Sequence, residues 1–294
     1  MATPAAWWAG ARPRTLPAAI APVAAGTGLA AQAASLMPLR SALCLLVAVA
    51  LQIGVNYAND YSDGIRGTDD ARVGPVRLVG QGLATPTAVR AAAWACFACA
   101  AVAGLLLVTV SGQWWLLLVG AASIAAAWFY TGGPRPYGYL GLGEVFVFVF
   151  FGLVPVIGTC YVQTLTIPVS AIIVGAGIGA LACAILVANN LRDIPTDAAS
   201  GKRTLAVRLG DRRTRTLYVA LVVGSAVLIL PTAALTTWWS ALALLAYPIA
   251  LRPMRAVLGG ARGPALIAVL RGTSLLLLVV GLGQGLLLGI GGLR

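Results

Sequence analysis

Apolar residues run through this chain in long unbroken stretches, joined by short segments where arginine, aspartate, glycine and proline gather. About 20 consecutive apolar residues are what a helix needs to cross the hydrocarbon of a bilayer, and the alternation of a barrel strand is absent. The pattern therefore predicts an all-α polytopic membrane protein. Nine spans are expected, at 16–34, 39–57, 88–110, 114–130, 142–161, 169–189, 217–235, 238–251 and 266–288, which makes residues 1–294 one integral-membrane domain.

Composition sharpens that picture. Only 10% of the residues are charged while 60% are hydrophobic, so the position of each charge carries information. Arg12, Arg14, Arg66, Arg72, Arg77, Arg135, Arg192, Lys202, Arg203, Arg208, Arg212, Arg213, Arg215, Arg252, Arg255 and Arg262 all precede the first span or follow the second, fourth, sixth and eighth. The opposite joints hold little besides Arg40. By the positive-inside rule the N-terminus and the arginine-bearing joints face the cytoplasm, as in a multi-pass protein of the plasma (inner) membrane. Trp114, Trp115, Trp238 and Trp239 then fall at outer span ends, where interfacial aromatics belong. The net charge of +12 is accounted for by topology and contact with anionic membrane lipids, and no nucleic-acid partner is expected. Nor is a cleavable signal peptide, because Arg12-Pro13-Arg14 leads into a first span too long for a signal core.

Absences narrow the chemistry further. The chain has no histidine, which excludes a Ser-His-Asp triad and removes the commonest transition-metal ligand. Cys44, Cys96, Cys99, Cys160 and Cys183 lie within or at the ends of apolar runs and read as small buried hydrophobes. Cys96 and Cys99 are spaced as C-x-x-C but lack a second pair.

Of eight carboxylates in the whole chain, six fall in two short segments. The first contains Asn56, Asn59, Asp60, Asp63, Asp69 and Asp70 and continues directly from the second span. If the helix runs on, Asn56, Asn59, Asp60 and Asp63 share one face at i, i+3, i+4 and i+7. Gly64 and Gly67 then end it, in a loop able to bring Asp69 back. Like charges at that spacing repel unless a cation lies between them; a solvated acidic loop with neighbouring arginines is the plain alternative. The second segment, Asn189 to Asp197, follows the sixth span and puts Asn189, Asp193 and Asp197 at i, i+4 and i+8. Pro195 removes a backbone donor there, so a kink or a restarted helix is expected. Just beyond lie Arg203 and Lys202, the only lysine in the chain.

The clusters recur four spans apart, which suggests two four-helix pseudo-repeats plus a ninth helix around a central cavity, with the acids facing each other across it. Carboxylates hold magnesium, magnesium bridges a diphosphate, and adjacent basic side chains neutralise the remaining phosphate charge. A metal-ion transporter would place its acids at mid-membrane, whereas these lie at span ends.

At these residues the chain resembles the UbiA superfamily of intramembrane aromatic prenyltransferases. Asn59, Asp60, Asp63 and Asp69 match its first motif, Asn-Asp-x-x-Asp followed by a further Asp; Asp193 and Asp197 match its second, Asp-x-x-x-Asp. The wider spacing to Asp69 is similar to the menaquinone branch, as are Arg12-Pro13-Arg14-Thr15-Leu16-Pro17-Ala18, Gly74-Pro75-Val76-Arg77, Tyr130-Thr131-Gly132-Gly133-Pro134 and the run from Gly201 to Gly210. The resemblance implies magnesium-dependent transfer of a polyprenyl group from its diphosphate to 1,4-dihydroxy-2-naphthoate, with loss of the carboxylate. It assigns Asn59, Asp63, Asp193 and Asp197 as metal ligands, with Asp60 and Asp69 as further contributors. Asp60, Asp63, Asp193 and Asp197 form the catalytic acid set. Arg66, Arg192, Lys202 and Arg203 are candidate diphosphate contacts, Tyr130 and Arg135 face the carbocation or the aryl acid, and Asn56 joins the substrate contacts. A 4-hydroxybenzoate or homogentisate acceptor is the alternative within the superfamily. A CDP-alcohol phosphotransferase is disfavoured because Asp63-Gly64 lacks the Ala-Arg that follows in that family.

Overall fold

Helices begin in this chain where proline costs least. In the first turn proline's missing N–H has no partner to lose and its fixed φ is already helical. The computed structural model describes residues 2–67 and 76–292. In it proline stands in the first turn of α1 (Pro4–Gly10), α2 (Pro17–Gln32), α3 (Pro38–Ile65) and α4 (Pro86–Ser111). Thr3, Thr85 and Thr204 cap α1, α4 and the helix Leu205–Val227, accepting from the backbone N–H of Ala6, Ala88 and Val207. The remaining helices are α5 (Leu116–Phe129), α6 (Gly143–Phe148), α7 (Val154–Thr164), α8 (Val169–Ala199), α9 (Leu205–Val227), α10 (Ile229–Leu235), α11 (Pro248–Leu258) and α12 (Ala265–Gly291). A π turn, Val149–Leu153, joins α6 to α7, and a 3₁₀ segment, Trp238–Ala246, precedes α11. No strand occurs among the described residues.

Each predicted apolar run is helical, but among the described residues not all nine reach the crossing length. Six continuous stretches are long and apolar enough to cross a membrane: α3, α4, α6 to α7, α8, α9 to α10, and α12. The pair Trp238–Ala246 and Pro248–Leu258, bent by 45°, makes a seventh if it is one span. The other two runs form α5, of 14 residues, and α2, of 16, both short of the crossing length. The expected break at Pro195 is also absent, since α8 runs unbroken from Val169 to Ala199. Proline there removes one ladder bond, while packing on α9, α12 and α6 holds the rest of the helix.

Small residues let the backbones approach. A Cβ on Gly28 of α2 would lie 2.3 Å from the carbonyl oxygen of Gly285 on α12, and one on Gly152 would lie 2.4 Å from the Cα of Gly179 on α8. Close contact between small residues replaces the hydrophobic force that is missing between helices in lipid. Gly28→Leu is therefore expected to cost about 1–3 kcal/mol and to lower the thermal midpoint in detergent. Gly283→Leu, where an added Cβ meets nothing within 4 Å, serves as the control. An unchanged Gly28→Leu midpoint would contradict this packing account.

At the end of the bundle away from the acid clusters, polar groups tie α3, α4 and α7 together. Gln163 accepts from the Met37 N–H at 2.8 Å and the Ser41 hydroxyl at 3.1 Å, and Arg40 donates to the carbonyl oxygens of Val110 and Val162. A small apolar cluster of Val23, Cys44 and Val162 lies just inside this lock.

Candidate active site

Between the helices lies a cavity of about 1110 Å³. Val23, Cys44, Leu107, Leu116 and Val162 bound its deep apolar end; Asn59, Asp63, Asn189, Arg192, Asp197 and Lys202 stand at the other. The two acid-bearing segments meet at that polar end because α3 and α8 both overrun their apolar stretches by two turns or more.

Asp63 is the hinge of the arrangement. Its Oδ1 accepts from Tyr139 Oη at 2.6 Å and from Lys202 Nζ at 3.1 Å, and Arg77 lies 3.9 Å from its Oδ2. Asp63, Lys202 and Arg77 are all buried, so these charges attract in a medium far less screening than water. Lys202 also sits 4.4 Å above the Tyr139 ring, and its backbone N–H donates to the Asp197 carbonyl at 2.9 Å. One lysine thus links the first cluster to the second. Within α8, Arg192 grips its neighbour Asp193 with two hydrogen bonds of 2.7 and 2.8 Å and reaches Asn189 Oδ1 at 2.9 Å.

Several expected contacts fall elsewhere. Asp60 is fully buried and absent from the cavity wall: its oxygens accept from the backbone N–H of Leu78 at 2.8 Å and Val79 at 3.0 Å. These two bonds hold the segment that carries Arg77. Asn56 lines the cavity, yet its amide donates to the Ala11 carbonyl and Thr15 hydroxyl, both at 2.9 Å, and so fixes the turn bearing Arg12 and Arg14. Arg66 is exposed and donates to the carbonyls of Thr131 and Gly133. Arg135 and Arg203 are exposed and outside the cavity wall. Asp69, Asp70 and Arg72 lie outside the described residues. Tyr130 does line the cavity, within a run of rings: Tyr130 to Tyr137 at 5.5 Å, Tyr137 to Phe146 at 3.9 Å and Phe146 to Phe150 at 6.0 Å. Burial pushes the Tyr137 phenol well above its ordinary pKa, keeping it a donor to the Ala126 carbonyl at 2.7 Å.

Sequence reasoning missed Tyr139, Arg77 and, apart from Tyr130, this aromatic run as site residues. Arg77 stands in a segment already noted for its likeness to the menaquinone branch, but Tyr139 offers no local signal because its partner is 76 positions away.

Among the described residues no three carboxylates converge closely enough to hold a metal by themselves. Magnesium requires less, since it retains waters and takes one or two carboxylates together with substrate phosphates. The oxygen donors Asn59, Asp63, Asn189 and Asp197 at one end of a cavity suit that chemistry.

Residues 19–262 match the model of the UbiA prenyltransferase family. The chain is 57% identical over 279 residues to the 1,4-dihydroxy-2-naphthoate octaprenyltransferase of Mycobacterium tuberculosis (strain ATCC 25618 / H37Rv), with 95% of each chain covered. To the protein of that name from Escherichia coli (strain K12) it is 40% identical over 261 residues, covering 86% of this chain and 85% of the relative. Among solved structures it resembles a UbiA homolog from Archaeoglobus fulgidus bound to DMAPP and Mg2+, with TM-score 0.69, 15% identity, and 95% and 98% of the two chains covered. An apo UbiA homolog from Aeropyrum pernix K1 gives TM-score 0.71 at 14% identity over 90% and 96%. At those identities the likeness is one of fold. The sequence matches reach further, and on them the chain belongs to the UbiA prenyltransferase family.

Proposed function

We propose that this protein is a magnesium-dependent membrane prenyltransferase that moves a polyprenyl group from its diphosphate onto 1,4-dihydroxy-2-naphthoate, releasing CO2 and diphosphate and giving demethylmenaquinol. The observation that carries this reading is the meeting of both acid segments, through Asp63 and Lys202, at the polar mouth of a long apolar cavity. A diphosphate suits the mouth and an isoprenoid tail suits the depth. The names of the relatives support the choice of acceptor. The polar lock at the far end does not suit a transporter, which needs a path to both sides.

Asn59, Asp63, Asn189 and Asp197, which line the cavity, are the residues that would hold magnesium, with Asp193 behind them in the grip of Arg192, and the ion when bound supplies positive charge against the diphosphate. The chain itself supplies the rest. Lys202, Arg77 and Arg192 lie at the mouth, where their charge stabilises the departing diphosphate as the allylic C–O bond breaks and its electron pair leaves with oxygen. Tyr130, Tyr137, Phe146 and Phe150 offer ring faces to the electron-poor allylic carbon. The acceptor ring forms the new C–C bond, and loss of its carboxylate as CO2 leaves the bonding pair in the ring. Apolar walls exclude water that would otherwise capture the cation. No proton-transferring histidine is needed.

The arginine placement further supports a plasma-membrane protein with its N-terminus and both acid segments in the cytoplasm. The deciding measurement is turnover of purified protein with polyprenyl diphosphate and each of three acceptors. Efficient prenylation of the dihydroxynaphthoate is expected. Prenylation of 4-hydroxybenzoate or homogentisate with the naphthoate ignored would overturn the acceptor while leaving the family unaffected.

A further inference from the structure

Two carboxylates lie outside the acid segments, and only one is conventionally paired. Asp211 is gripped by the Arg215 guanidinium through hydrogen bonds of 2.7 and 2.8 Å. Glu144, in the first turn of α6, is 8% exposed and has no cation beside it among the described residues. Its Oε1 accepts from Asn190 Nδ2 at 3.0 Å, and its Oε2 is buried without a hydrogen-bond partner among them. The Cys183 thiol donates to the Glu144 carbonyl at 3.1 Å, so two contacts two turns apart pin the start of α6 to α8. Burying a carboxyl with a single amide for company is costly, and its persistence calls for a use.

The use lies on the other side of the amide. Asn190 lines the cavity, whereas Glu144 stands behind it. Asn190 gives its Nδ2 to Glu144, which turns its Oδ1 away from Glu144, toward the cavity. α6 and the loop before it also carry Tyr137 and Phe146 of the aromatic run, so this oxygen belongs to the ring-lined part of the wall. A fixed carbonyl oxygen repels phosphate and carboxylate and welcomes a hydroxyl donor. Resting on the reading of the reaction given above, we propose that Asn190 accepts a hydrogen bond from a ring hydroxyl of the dihydroxynaphthoate, and that Glu144 is the positioning residue that fixes the amide for it. Accepting that proton's hydrogen bond raises electron density in the ring as the ring carbon attacks, so the contact strengthens toward the transition state.

Glu144→Gln tests this, because a glutamine amide can pair with Asn190 in either orientation and releases the constraint. With the dihydroxynaphthoate, kcat is expected to fall about tenfold, the equivalent of one hydrogen bond. The KM for polyprenyl diphosphate and the thermal midpoint should stay at wild-type values. The two mono-methyl ethers of the acceptor supply the readout that a merely structural role would not move. In wild type, one ether should be turned over about tenfold more slowly than the parent; in Glu144→Gln the same methylation should cost less than about twofold, because the bond it removes is already lost. Asn190→Leu reads the same interaction from the cavity side and should show the same insensitivity. The proposal is overturned if both ethers match the parent in wild type, which needs no variant to fold, or if Glu144→Gln retains full kcat. It is equally overturned if the variant and ether penalties simply multiply. If wild type fails to prenylate the dihydroxynaphthoate at all, the reading of the reaction falls first; if it succeeds and the ethers are indifferent, only the role of Glu144 and Asn190 is lost.

Discussion

Asp63→Asn is expected to lower prenyl transfer at least about a hundredfold, the order seen when a preorganised charge at a reacting group is removed. The substitution keeps size and shape and deletes one negative charge that three groups now share: Tyr139 at 2.6 Å, Lys202 at 3.1 Å and Arg77 at 3.9 Å. It also takes the Asp63 charge away from buried Lys202 and Arg77, and deleting one partner of a buried pair costs about 3–5 kcal/mol. Lost activity alone would therefore not distinguish chemistry from unfolding. The companion variant Asp63→Asn with Lys202→Met removes both charges and should recover most of the thermal midpoint, since neutral replacement of a whole pair is often tolerated. Its turnover should stay at background. Asp60→Asn sets the contrast: it disturbs the anchoring of the Leu78 and Val79 amides and should affect stability more than the magnesium requirement. A folded double variant with near-normal turnover would remove Asp63 and Lys202 from the mechanism.

Turnover should stop in excess chelator and return when magnesium is restored. The reason is electrostatic. Diphosphate carries several negative charges, the aryl acid adds another, and Asp63, Asp193 and Asp197 are already buried around the mouth. Two like charges 4 Å apart repel by about 4 kcal/mol at an effective dielectric constant of about 20. Lys202, Arg77 and Arg192 cannot offset that alone, because Arg192 is spent on Asp193 and the other two already face Asp63. Asp197→Asn should raise the magnesium concentration for half-maximal rate about tenfold or more, while saturating magnesium recovers part of the rate. Full turnover in excess chelator would end the metal mechanism.

Long features of the chain were legible before any coordinates. The apolar runs gave the helical class because a bilayer imposes a length that composition reveals. The continuation of α3 through Asp63 followed from unbroken helical spacing, and the approach of the two acid segments at a cavity followed from their recurrence four spans apart, though the ion pair of Asp63 with Lys202 did not. Direction was harder to read. Asp60 and Asp63 are three residues apart on one helix, yet one faces a loop backbone and the other the cavity, because the backbone amides of Leu78 and Val79 reach only Asp60 while Arg77 of the same segment turns its side chain to Asp63. Arg66, Arg135 and Arg203 have the right charge in the right neighbourhood, but whether a long side chain turns inward depends on carbonyls and rings brought in by other elements. Pro195 failed as a helix breaker for a similar reason: α8 is held on several sides, and tertiary packing outweighs one missing hydrogen bond.

The pairing of Lys202 with Asp63 makes this protein unusually easy to interrogate by chemistry. Lys202 is the only lysine in 294 residues, so an amine-selective acylating reagent has a single side-chain target in the whole chain. That target is buried, ion-paired and seated where the two acid segments join. Acylation requires an amine that is both uncharged and reachable, so the mass of one peptide reports whether the Asp63 contact is intact. No engineered probe, tag or substitution is needed, and the readout works in native membranes.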